Sequence, residues 1–180
     1  MLLRERDLGD FEGIDYRIYF SKFEEKNDVK TRDIKTGKGG ESLNEVLQRG
    51  IKILNLLIQK YINPNIIINI KNEEIKSYKD ISYEEFCDDF KKGNLKIKEE
   101  INLNKIILVT HCVLIKEFLN IILILWKKEY LRWIETHNTC IFKIKIFCEK
   151  CKGKCQKSNQ HNIKDLSYSF DSINDYSHLN

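Results

Sequence analysis

The sequence predicts an α/β domain, and three observations carry that prediction. A continuous apolar run, Ile106-Ile107-Leu108-Val109, suits a strand buried on both faces. It leads through Thr110-His111 into a stretch from Cys112 to Trp126 that is apolar nearly all round, the pattern of an internal helix. Leu43, Leu47, Gly50, Leu54, Leu57 and Tyr61 recur at helical spacing, which makes a second, amphipathic helix. In open α/β sheets a strand-turn-helix with polar residues at the turn is where ligands bind, beyond the carboxyl ends of the strands.

The bounds on this reading come from length and composition. The 180 residues suffice for one domain with a real core, 1–180. The hydrophobic share of 42% and the charged share of 32% are those of a globular chain that stays in solution. The 31 cationic and 27 anionic side chains are interspersed and leave a net charge of +4, so no footprint for nucleic acid is expected. No secretory leader is expected from Leu2-Leu3-Arg4-Glu5-Arg6. The stretch 106–126 is interrupted by Thr110, His111, Lys116, Glu117 and Asn120, so no membrane span is expected either. The six cysteines are then expected as free thiols in a cytoplasmic protein.

In chain order, residues 14–36 suggest a short helix and a loop. Gly37-Lys38-Gly39-Gly40 breaks regular structure. Ser42-Leu43-Asn44-Glu45 fits a capping box, in which the Ser42 hydroxyl takes the Glu45 N–H and the Glu45 carboxylate reaches back. The helix it opens ends before Asn63-Pro64. Gly50 inside that helix is unfavourable by about 1 kcal/mol against alanine, which points to a close backbone contact. Residues 63–104 show little period and are expected as a mobile insertion, with a short helix over Tyr83 to Phe90. Cys140 to Phe147 alternates and predicts a half-exposed strand. A lysine- and cysteine-rich turn follows at 148–157, then a last strand around Leu166 to Phe170.

The chemistry lies in an ordered set of short motifs. Leu3-Arg4-Glu5-Arg6-Asp7-Leu8-Gly9-Asp10-Phe11-Glu12-Gly13 comes first, then Gly39-Gly40-Glu41-Ser42 with Glu45, Val46 and Arg49. Val109-Thr110-His111 and Asn138-Thr139 follow, and His178-Leu179-Asn180 closes the chain. In this order, with a strand before His111 and a helix after it, the set resembles the histidine phosphatase (phosphoglycerate mutase-like) superfamily. Within it the resemblance is closest to the fructose-2,6-bisphosphatases of the TIGAR type, over most of the chain outside 63–104.

The resemblance implies a three-layer α/β sheet with helices on both faces and a metal-independent, cofactor-free hydrolysis of a phosphomonoester through a phosphohistidine. Its substrate would be a phosphorylated small molecule such as a sugar bisphosphate. Glu5 would give a proton to the leaving oxygen and later activate water, a role that needs a raised carboxyl pKa. His111 would bond the equatorial phosphoryl oxygens, helped by backbone N–H groups at its helix N-terminus. Arg6 would balance substrate charge, and Asn138 would orient a loop or a phosphate.

Three departures accompany the resemblance. The Arg-His-Gly segment that carries the family's nucleophile has no counterpart, since none of His137, His161 and His178 is preceded by arginine or followed by glycine. Cys112 stands where glycine usually follows the second histidine, and Leu8 replaces an aromatic. The chain is therefore expected to be the C-terminal part of such a domain and inactive alone, with the N-terminal strand and helices absent. That loss would leave unpaired backbone and uncovered apolar faces beside the strand ending at His111. The alternative is a non-catalytic module: a binder of phosphorylated ligands, or a zinc hairpin built on Cys148, Cys151 and Cys155 with His161.

Overall fold

A computed structural model describes residues 2–15, 17, 18, 32–92, 105–132, 134, 140–148, 166–175 and 177. The fold is mixed α/β with small sheets. After a 3-10 turn at Gly9–Phe11, the elements are α1 (Leu43–Tyr61), α2 (Asn72–Ile75), β1 (Lys79–Ile81) and α3 (Tyr83–Lys91). Then come α4 (Cys112–Lys127), β2 (Glu129–Leu131), β3 (Ile141–Cys148) and β4 (Leu166–Asp175). The residues group into two compact units by their internal contacts. None of the helices among the described residues is long and apolar enough to cross a membrane.

The first unit comprises residues 1–52, 70–81 and 108–132. The capping box opens α1 as expected: the Ser42 N–H donates to Glu45 Oε2 (2.7 Å) and the Glu45 N–H to Ser42 Oγ (3.2 Å). Val46, Leu47, Gly50 and Ile51 form its buried stripe. A Cβ on Gly50 would stand 2.9 Å from Ile121 Cδ1 and 3.8 Å from Leu114 Cδ1. The glycine therefore marks where α1 and α4 close on each other, the contact its position suggested. Helix α4 buries Leu114, Leu119, Ile121, Ile122, Leu123 and Ile124, and ends at Lys128 in the left-handed region (φ 55°). The chain then enters β2, which pairs in parallel with β1. Asn120, fully buried on α4, brackets Leu131: its Oδ1 accepts the Leu131 N–H (2.7 Å) and its amide donates to the Leu131 carbonyl (3.2 Å). That satisfies both backbone groups of Leu131 at the end of a strand with one ladder partner among the described residues.

The second unit comprises residues 53–69, 82–107 and 133–180. β3 and β4 form an antiparallel hairpin from Ile141↔Asp175 to Cys148↔Leu166, with register shifts around Lys143. β4 runs to Asp175, beyond the Leu166–Phe170 stretch foreseen, and it gives the hairpin its buried Phe170. A second capping box, Ser82 with Glu85, opens α3, and Phe86 meets Phe170 edge to face at 5.4 Å.

The described part of the supposed insertion, 63–92, contains α2, β1 and α3, the last being the short helix expected from Tyr83. Burial alternates along its first residues: Ile66, Ile68 and Ile70 are buried, while Ile67 is 66% exposed. The Asn55 side chain holds that extended segment by accepting the Ile68 N–H (2.7 Å) and donating to its carbonyl (3.0 Å). One expectation fails, the strand at 106–109. It forms no ladder among the described residues, and Ile107 and Val109 are 89% and 83% exposed. An apolar run becomes a doubly buried strand only with a partner at each edge. Among the described residues β1 pairs with β2 and β3 with β4, and neither sheet extends to this segment. A central multi-stranded sheet is accordingly not formed among the described residues.

Candidate functional site

The first motif folds into a turn held by ion pairs rather than by regular structure. Glu41 is its hub. Arg49 grips the Glu41 carboxylate with two bonds, Nε to Oε1 (2.9 Å) and Nη2 to Oε2 (2.8 Å), and Arg4 adds a contact of 3.1 Å. Glu41 Oε2 also accepts the Asp7 N–H (3.1 Å). Arg49 meanwhile donates to the carbonyls of Leu2 (2.7 Å), Arg4 (3.0 Å) and Glu5 (3.3 Å). The pair thus fixes the backbone on either side of Glu5. Gly9 (φ +61°) sits against the second motif: a Cβ there would stand 2.5 Å from the Gly40 nitrogen and from the Lys38 carbonyl. This explains why both segments carry glycine at their meeting point.

Electrostatics reinforce the turn. Burial pushes the Glu41 carboxyl up, but Arg49, the Asp7 N–H and Arg4 more than reverse it and leave it below the usual range. The Gly9 N–H and Arg4 hold Asp7 below its usual range too. A carboxyl depressed in the folded state stabilises the protein above its unfolded pKa, near about 4, and that contribution disappears as pH falls through the folded value. Urea midpoints are expected to drop between pH 6 and pH 3. Replacing Glu41 by Gln should lower the pH 6 midpoint and flatten that dependence.

The segments that carry Glu5 and His111 touch at one point. The Thr110 hydroxyl donates to the Leu3 carbonyl at 2.8 Å, so the residue before His111 touches the residue two before Glu5. His111 is the exposed N-cap of α4 in extended conformation (φ −115°, ψ 164°), and its side chain does not cap the helix. Glu5 is half-buried, with Oε1 accepting the N–H of Arg6 (2.7 Å). The cations of the turn are directed elsewhere: Arg4 to Asp7 and Glu41, Arg49 to Glu41.

Arg6 is placed differently from expectation. It is only 8% exposed, and its guanidinium donates to the carbonyls of Glu41 (2.9 Å) and Ile34 (3.4 Å). That geometry ties the turn to the 34–41 segment, and Arg4 is the more exposed cation of the motif. Cys112 is the half-buried first residue of α4. Asn138 lies outside the described residues, as do Cys151, Cys155 and His161 of the zinc alternative. Cys148 ends β3.

A buried polar cluster that no motif in the sequence marks lies in the same unit. Arg32 and Glu117 are 1% and 0% exposed and pair at 2.6 Å (Nη2 to Oε2) and 3.3 Å (Nη1 to Oε1). Arg32 also donates to Asn44 Oδ1 (2.8 Å), the Leu43 carbonyl (3.3 Å) and the Tyr130 hydroxyl. Lys116 Nζ lies 3.4 Å from Glu117. Burial would push the Glu117 carboxyl up, yet Arg32 and Lys116 hold it below its usual range. The only sequence signal was a pair of charged residues, Lys116 and Glu117, inside an otherwise apolar helix.

An open depression of about 490 Å³ in the second unit is lined by Phe90, Ser177 and residues 171–175 of β4. Its lining has two carboxylates and no cation, a poor match for a phosphate. Comparison with protein-family models, curated proteins and solved structures returns no match.

Proposed function

We propose that these residues supply the acid and the anion-binding histidine of a phosphomonoester hydrolase of the histidine phosphatase type, acting on a phosphorylated small molecule such as a sugar bisphosphate in the cytoplasm. The observation that supports this most is the Thr110–Leu3 hydrogen bond. It joins two motifs separated by about a hundred residues at the one point the reading requires. In this reading His111 and the first N–H groups of α4 take the equatorial phosphoryl oxygens, where charge-assisted bonds strengthen as negative charge builds. Glu5 gives its proton to the leaving oxygen. Arg6 does not meet the substrate. It pins the turn that carries Glu5.

The group that attacks phosphorus is not among the four histidines if it must sit in Arg-His-Gly. The 180-residue chain is therefore expected to bind inorganic phosphate without hydrolysing p-nitrophenyl phosphate above the buffer rate. Calorimetric titration checks the first half. His111→Ala is expected to weaken phosphate binding by about tenfold or more, the effect of losing one bond to a charged group. Unchanged affinity in that variant would remove His111 from the site.

A further inference from the structure

We propose that Arg32 is a positioning residue: from its buried place it locks the 32–42 segment, and through it the Glu5 turn, onto the helix that begins at His111. The proposal rests on the site reading above and deepens it.

The Arg32 guanidinium joins three segments. Its donors reach the N-terminal turn of α1 (Leu43, Asn44), helix α4 (Glu117) and strand β2 (Tyr130). The Tyr130 ring lies 4.7 Å from the guanidinium carbon, and the Asn44 N–H donates back to the Arg32 carbonyl (3.2 Å). The chain leaving Arg32 then meets the Glu5 turn repeatedly. The Ile34 and Glu41 carbonyls accept from Arg6, Thr36 Oγ1 donates to the Asp7 carbonyl (3.0 Å), and the Glu41 N–H donates to the same oxygen (2.8 Å). The Asp10 N–H donates to Lys38 (3.2 Å). Glu117, the fixed end of this linkage, stands on the helix whose first turn would hold the anion. Arg32 is therefore the joint between the acid's support and the histidine's helix.

A purely stabilising role is a weaker explanation of the same contacts. Burying an ion pair is expensive, and apolar side chains of equal volume often stabilise as well or better. What an apolar pair lacks is direction. Five N–H donors in a rigid fork fix three segments at once, which a lysine ammonium cannot reproduce.

The test compares wild type, Arg32→Lys and Tyr130→Phe for affinity toward inorganic phosphate, well below each protein's melting temperature. Backbone amide spectra are recorded alongside. Tyr130→Phe removes one acceptor and keeps the ring, so it remains informative if Arg32→Lys does not fold. The expected result is a cooperative melt for the folded variants, with phosphate affinity at least severalfold weaker and shifted amides at 5–7 and 34–41. Wild-type affinity in a folded variant would overturn the proposal. Absence of phosphate binding by wild type would instead overturn the site reading, and the positioning role with it.

Discussion

Glu117→Ala is expected to lower the unfolding free energy by about 3–5 kcal/mol. The substitution leaves Arg32 at 1% exposure and Lys116 at 4% with no carboxylate to compensate them. Arg32 retains Asn44, Leu43 and Tyr130 as acceptors, so its hydrogen bonds survive in part and its charge does not. The comparison is Lys145→Ala. Its partner Asp171 lies at 3.0 Å, but both side chains are 40% exposed, and the change should stay within about 1 kcal/mol. Denaturant melts of the two variants measure the difference. A Glu117→Ala effect under about 1 kcal/mol would mean that the pair is not buried as described. Acid acts in the same direction. The Glu117 carboxyl is held below its usual range, so its contribution persists above the unfolded pKa and fades as pH falls through the folded value.

The second large effect concerns the contact between α1 and α4. Ile121→Ala is expected to cost about 2–5 kcal/mol, because Ile121 is fully buried and its Cδ1 fills the space left by Gly50. Ile107→Ala changes the same side-chain atoms at 89% exposure and should stay within about 0.5 kcal/mol. Chemical denaturation of the two variants decides between the exposed segment of the structure and the buried strand that the sequence suggested. Comparable losses at both positions would favour the buried strand.

The elements that were legible in the sequence are those whose pattern is set by neighbours nearby in the chain. The Ser42–Glu45 box and the stripe from Leu43 to Tyr61 define α1 without reference to anything distant. The Cys112–Lys127 helix follows from length and apolarity, and β3 from its alternating lysines. What failed depended on pairing. The run at 106–109 has the composition of a buried strand, but composition does not supply a partner strand. The Asn- and Ile-rich segment after Pro64 looked irregular because its order comes from a bracketing side chain, Asn55, rather than from a long repeat.

The site was legible in the same uneven way. Motif order pointed to Glu5 and His111, and the Thr110–Leu3 bond brings their segments together. The carbonyl partners of Arg6 were not legible, because a charged residue in a short motif gives no sign of which carbonyls it will meet. Arg32 was invisible for a related reason. It stands among other charges in the chain, and only the fold puts Glu117 and Tyr130 around it.

The central claim is that residues 3–13 and 110–113 form one anion site. Its most direct measurement is an amide-resolved NMR titration of the 180-residue chain with inorganic phosphate. The account predicts that the amides of Glu5, Arg6, Cys112 and Val113 shift together along one saturating curve. Amides that stay still, or two segments that respond at different phosphate concentrations, would contradict it.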